Sequence, residues 1–244
     1  MIDRRVRLRP KDAAANYVYG DMGDTSSPGI LSILRETNGM VWNVTPTISE
    51  SRVVNYDVEQ PVHTNSGFNN YKNTANATYT VQGTFYANSG KEAQYLLACM
   101  IFLRSMTMMD FGRIAADSQN PDFAVAGAPP PILLFSAYGR YMFNDIPVII
   151  KTVSFNFTDD VDYVQVPIDS STSTINQSAT SIRKFYQNVR AIGGSVTPEN
   201  DVYVPQKIAI SLQLEEQPTP DYMTKTFNLN AFKRGELIRK GGFL

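Results

Sequence analysis

His63 and Cys99 are the only histidine and the only cysteine in the chain, and that scarcity bounds its chemistry. A Ser-His-Asp or Cys-His nucleophilic site would have to draw on His63. That residue lies between Val62 and Thr64 in a polar stretch, a setting that reads as a solvated loop. One imidazole and one thiol cannot fill a zinc shell. Cys99 falls among Tyr95, Leu96, Met100, Phe102 and Leu103, and so reads as a small buried side chain rather than a nucleophile. A lone cysteine also excludes an internal disulfide and fits assembly in a reducing compartment.

Carboxylates are better supplied. Asp159, Asp160 and Asp162 are of the type that binds hard cations through oxygen, but they lack the glycine and distal glutamate of a calcium loop, and they read as a solvated turn before a strand. A glycosidase needs two carboxylates roughly 5–10 Å apart, a separation that sequence spacing does not encode. Gly20, Gly23, Gly193 and Gly194 fit no phosphate-binding pattern. The expectation is a protein without catalysis, cofactor or metal ion.

Charge is unevenly distributed. Arg4, Arg5, Arg7, Arg9 and Lys11 against Asp3 leave +4 in residues 1–11, and Lys225, Lys233, Arg234, Arg239 and Lys240 against Glu236 leave +4 in residues 225–244. The stretch between them must carry −9 to give the overall −1. A nucleic-acid-reading domain would show a basic face instead. Basic ends on an acidic body point to docking, because complementary charge steers encounter and register. Arg4, Arg5, Arg7, Arg9, Lys225, Lys233, Arg234, Arg239 and Lys240 are therefore the candidate inter-subunit docking residues. Phe227, Phe232 and Phe243 beside basic residues make only a sparse version of a single-strand-binding surface.

The elements that position these residues are mostly strands. An apolar fraction of 43% over 244 residues supplies a core for one large β domain, and no apolar run reaches the ~20 residues of a membrane-spanning helix. Gly20, Gly23, Pro28, Gly29 and Gly39 mark residues 1–39 as an extended arm. A domain over 40–224 follows, with strand signals at Val41–Val44 and Val53–Val58 that Pro61 ends. The Asn- and Gly-rich stretch 63–76 reads as a loop. Tyr79, Val81 and Phe85 alternate with threonines and Gln82 over 77–87, a half-buried strand, in which Gly83 signals a bulge or a close backbone approach. A helix is predicted over about 90–109, capped by Ser89. Ile132–Phe143 and Ile146–Phe157 read as a hairpin turning at Asn144-Asp145, with a further strand at Val161–Pro167. Residues 169–201 form a polar insertion containing one short amphipathic helix over Ile182–Ile192. Ile208, Ile210, Leu212 and Leu214 give the last strand, which Pro218 and Pro220 stop. Residues 225–244 read as a basic tail.

The hairpin carries a resemblance. Tyr138, Gly139, Tyr141, Phe143 and Pro147, followed by Asp160, Val161, Asp162 and Tyr163, resemble the pattern in baseplate proteins of contractile-tailed bacteriophages that initiate the tail tube, the baseplate-to-tube junction family. The likeness covers about residues 130–168 and extends to 40–110 and 205–244. It implies a mainly β, tail-tube-like sandwich or barrel with one flanking helix, long hairpins and terminal arms. It further implies a homohexameric ring in the virion tail, assembled in the host cytoplasm, that contacts the tail-tube protein and the baseplate hub and wedge proteins. DNA would be cargo in the lumen, and no membrane is involved. Competing readings are another tail component of the same fold (tube protein or tail terminator), a carbohydrate-binding or cell-wall-directed tail module, and a nucleic-acid-binding protein with basic arms.

Overall fold

The structure, a computed structural model, describes residues 4–11, 15–19, 30–109, 129–166 and 202–242; the insertion at 169–201 and its expected helix lie outside them. The chain is mainly β. Strands β1 (Arg7–Pro10), β2 (Met40–Val41), β3 (Thr47–Ser51), β6 (Thr78–Tyr86), β7 (Leu133–Ala137), β8 (Phe143–Phe157) and β11 (Lys207–Glu216) form one seven-stranded sheet. Its order is β2-β1-β7-β8-β11-β6-β3, and every pairing is antiparallel.

The two alternating strands behave as their periodicity predicts. Tyr79, Val81 and Phe85 from β6 and Ile208, Ile210, Leu212 and Leu214 from β11 are all buried, and they share a face through the register Leu212↔Val81 and Ile210↔Gly83. The ring of Tyr79 lies 6.0 Å from that of Phe135 on β7, although β11 and β8 intervene. In a flat sheet those backbones would stand about 14 Å apart, so the sheet curls around its apolar side. On the opposite side Thr80, Gln82 and Thr84 face Ser211, Gln213, Ser154 and Asn156. That surface is a band of hydroxyls and amides; Glu215 near its end pairs with Lys151 at 2.9 Å.

Helix α3 (Gly90–Ser105) covers the apolar side. Ser89 Oγ accepts a hydrogen bond from the Glu92 amide at 3.4 Å, while Glu92 Oε2 accepts from the Asn88 amide at 2.7 Å, so two otherwise orphan donors are satisfied. The helix ends at Ser105, and residues 106–109, expected within it, turn away. Cys99 lies wholly inside. The two-stranded ribbon β9 (Tyr163–Gln165) and β10 (Tyr203–Pro205) packs against α3 through buried Val166 and Val204. Strand β9 is shorter than the expected Val161–Pro167.

Four local readings are corrected. The described part of the expected N-terminal arm belongs to the domain: β1 is an interior strand, with Val6 and Leu8 buried. These two residues alternate with Arg5, Arg7 and Arg9, so an apolar period of two is hidden among arginines. Helices α1 (Ala15–Tyr19) and α2 (Ile33–Glu36) then bury Tyr19 and Leu34, with Tyr19 stacked on Phe102 at 6.3 Å.

Within the expected loop at 63–76, Phe68–Thr74 is strand β5, paired with β4 (Val54–Glu59). Composition misleads here because neither face of this hairpin is buried, so no apolar alternation is required. The β7–β8 turn is Tyr138–Met142, not Asn144-Asp145. Tyr138 and Gly139 take left-handed φ values of 58° and 101° and end the ladder early, while Asn144 and Asp145 belong to β8.

Finally, the basic tail is folded. Helices α4 (Pro220–Lys225), α5 (Leu229–Lys233) and α6 (Glu236–Lys240) follow one another, and Leu237 is buried. No described helix is long and apolar enough to cross a membrane.

Candidate assembly interface

The turn that carries the family-like residues is where the two chain ends meet. The Tyr138 amide donates to the Arg4 carbonyl at 3.2 Å, and Gly139 lies beside the Arg4 stem. On the other side, Asn144 Nδ2 donates to the Arg239 carbonyl at 3.0 Å and the Ile238 carbonyl at 3.3 Å, and the Gly242 amide donates to the Asn144 carbonyl at 2.9 Å. Tyr141 packs near Gly235. Both basic ends are thus anchored on a single hairpin rather than extending from the body.

Between the N-terminal end and this turn lies an open cleft of about 620 Å³ whose lining includes Arg4, Arg5, Arg7, Arg9, Arg140 and Asp145. Asp145 is already engaged: its Oδ1 accepts from Ser136 Oγ at 2.7 Å and lies 3.4 Å from Arg9 Nη2. Arg5 donates to Asn43 Oδ1 at 3.3 Å. The four N-terminal arginines predicted for docking therefore converge, and Arg140 joins them. Arg140 stands alone between Gly139 and Tyr141, outside both basic segments, so the charge distribution along the chain does not mark it.

The C-terminal cations do not form a comparable cluster. Lys225 pairs with Asp221 at 3.2 Å and Arg234 with Glu236 at 2.9 Å, while Lys233, Arg239 and Lys240 are exposed. Of the family-like residues, Phe143 is core, in edge-to-face contact with Tyr79 at 5.8 Å. The Pro147 carbonyl accepts from the Gln217 amide at 2.8 Å. Tyr138, Tyr141 and Tyr163 are exposed, as are Asp160 and Asp162, while Val161 is half-buried.

The second candidate surface is the β4–β5 hairpin. Every residue from 51 to 74 is exposed, including Val54, Tyr56, Val58, Val62, Phe68 and Tyr71. The only organised aromatic contact there is Tyr56 edge-on to Tyr71 at 6.1 Å, and Lys72 pairs with Asp57 at 3.4 Å. A two-stranded ribbon is marginal by itself in water, and contiguous exposed apolar surface of this kind marks interaction sites. His63 sits at its tip with φ 65°, far in the fold from Cys99, whose thiol pKa burial pushes up. The two cannot act as a dyad. Among the described residues no group of three or more His, Cys, Asp or Glu side chains could hold a metal ion.

No family model matches the chain, and no curated protein is similar to it at a significant level.

Proposed function

We propose that the chain is a structural subunit that forms a homomeric ring at the junction of a phage baseplate and its tail tube, without catalysis. The exposed β4–β5 hairpin carries this reading. Its valines and aromatics are exposed on both faces of the ribbon, and a neighbouring copy that paired with it would bury them and complete the ladder. The motif around Tyr138–Tyr163 supplies the resemblance to tube initiators. The polar band over β6, β11 and β8 suits a lumen: hydroxyls and amides without a run of charge offer DNA phosphates neither a sticking point nor a strong barrier.

The test is to express the chain alone and with its genomic neighbours, then measure particle mass and image the products. Six-fold rings, alone or with a tube or hub protein, are the expected result. A persistent monomer in every combination, together with binding to glycans, would sink the reading in favour of a cell-wall-directed module.

A further inference from the structure

Strand β8 separates two clusters of opposite charge. At its beginning stands the arginine cleft. There the exposed side chains of Arg4 and Arg140 have, among the described residues, no carboxylate partner. At its end, beyond Phe157, stand Asp159, Asp160 and Asp162, all exposed and likewise without a cationic partner among the described residues. The acidic turn is held in place: the Gln206 amide donates to the Asp162 carbonyl at 2.8 Å, and Asp160 adopts a left-handed φ of 62°. The turn therefore presents a fixed set of carboxylates rather than a wandering loop.

The spacing decides what these clusters can do. From Asp145 to Asp159 the chain runs along a fifteen-residue strand, roughly 45 Å of contour at about 3.3 Å per residue. That distance is several Debye lengths at physiological salt, so the clusters neither touch nor sense one another within one chain. Opposite charges on opposite ends of one rigid element are complementary only between chains, in a head-to-tail contact. Such a contact is heterologous: it uses two different patches and yields a ring if the rotation closes and a filament if it does not.

We infer that the Arg4–Arg140 cleft receives the Asp159–Asp162 turn of a second copy of this chain. Guanidinium groups suit this ligand because each can engage a carboxylate through two parallel N–H donors. This inference deepens the ring proposal by naming the residues of a copy-to-copy contact, and it rests on that reading only for the closure of the ring.

Charge exchange tests it. Arg4→Glu with Arg140→Glu removes the net positive charge of the cleft and sets two carboxylates there, while the turn stays acidic. Asp159→Lys with Asp162→Lys makes one whose cleft and turn are both basic, and it leaves Asp160 untouched because its backbone conformation tolerates few side chains. All four positions are exposed, and circular dichroism and thermal melting of each variant should match the parent. Each variant alone is expected to self-associate at least ~100-fold more weakly than the parent, since the attraction is lost in the first and reversed in the second. Mixed in equal amounts, the two should co-assemble in alternation, as seen by light scattering and by electron microscopy. Unchanged association of either variant, or no recovery on mixing, overturns the contact. So does a parent chain that stays monomeric up to the highest concentration reached, although rings nucleated by another protein would then still stand. Recovery on mixing into open filaments without rings would uphold the contact and overturn the ring.

Discussion

Trp42 occupies the space that any side chain on Gly83 would need. A Cβ built on Gly83 would lie 2.5 Å from Trp42 Cδ1 and 2.7 Å from Nε1, with Pro46 Cβ at 3.0 Å. Trp42 is fully buried and its ring lies 6.0 Å from that of Phe85, so the indole cannot retreat. The register across Gly83 is regular; of the two explanations the sequence allowed, close approach holds and a bulge does not. Gly83→Ala should therefore destabilise the domain by about 1–3 kcal/mol through overpacking, read as a lower denaturation midpoint in urea at unchanged slope.

Glu216 gives a pH signature. It ends β11 on the apolar side of the sheet and is only 9% exposed. Burial raises its pKa, as does the neighbouring Glu50, while Arg52 and the Ala77 amide pull it down. Because the folded carboxyl holds its proton more firmly than the unfolded one, this group favours folding when protonated. Its stabilising contribution is present below the unfolded carboxylate pKa and is lost as the pH rises through the folded value. Glu216→Gln should accordingly be more stable than the parent at neutral pH. Chemical denaturation across a pH series should show the difference shrinking towards zero in acid; a difference that does not change with pH would contradict the assignment.

Asn144 makes a separable prediction about the C-terminal helices. Its side chain donates to two carbonyls at the end of α6, where intrahelical partners run out. Asn144→Ala should cost about 1 kcal/mol and, more specifically, speed amide exchange over 236–242. Exchange in β6 and β11 should stay slow, because those amides open only with the whole sheet. Tyr222, whose hydroxyl donates to the Gly241 carbonyl at 2.8 Å, should report the same release.

What the sequence made legible follows physical lines. Strands β6 and β11 and helix α3 were readable because each buries one face and exposes the other, which forces a period on their residues. The cap at Ser89 was readable because its chemistry is local. Strand β1 was hidden because only Val6 and Leu8 mark it, flanked by arginines, and Arg7 and Arg9 are themselves only partly exposed. Strand β5 was hidden for the opposite reason, as nothing among the described residues covers Phe68 or Tyr71. Arg4, Arg5, Arg7 and Arg9 gather around one cleft, as their closeness in sequence allows. The folding of residues 225–240 onto Asn144 was not readable, because it depends on hydrogen bonds between positions about 95 residues apart.

The β4–β5 hairpin separates stability from assembly. All residues from 51 to 74 are exposed and none of them enters the core, and the ribbon is a sheet of its own. The Ala75 amide donates to the Val53 carbonyl at 2.9 Å, so the two ends of the hairpin are already adjacent and a short Asn-Gly turn can bridge them. Replacing residues 54–74 by such a turn should leave the melting temperature of the isolated chain within a few degrees, and should raise its solubility by removing exposed valines and aromatics. The same replacement should abolish ring formation under conditions where the parent assembles. A milder variant, Val58→Lys with Phe68→Lys, places two like charges on the ribbon at one end and should weaken assembly without unfolding the core. Analytical ultracentrifugation of the three chains side by side reads both effects. A loop-replaced chain that assembles like the parent would remove the hairpin from the interface, and with it the main support for a ring. A loop-replaced chain that unfolds would show instead that the ribbon stabilises β3 and β6 at its base.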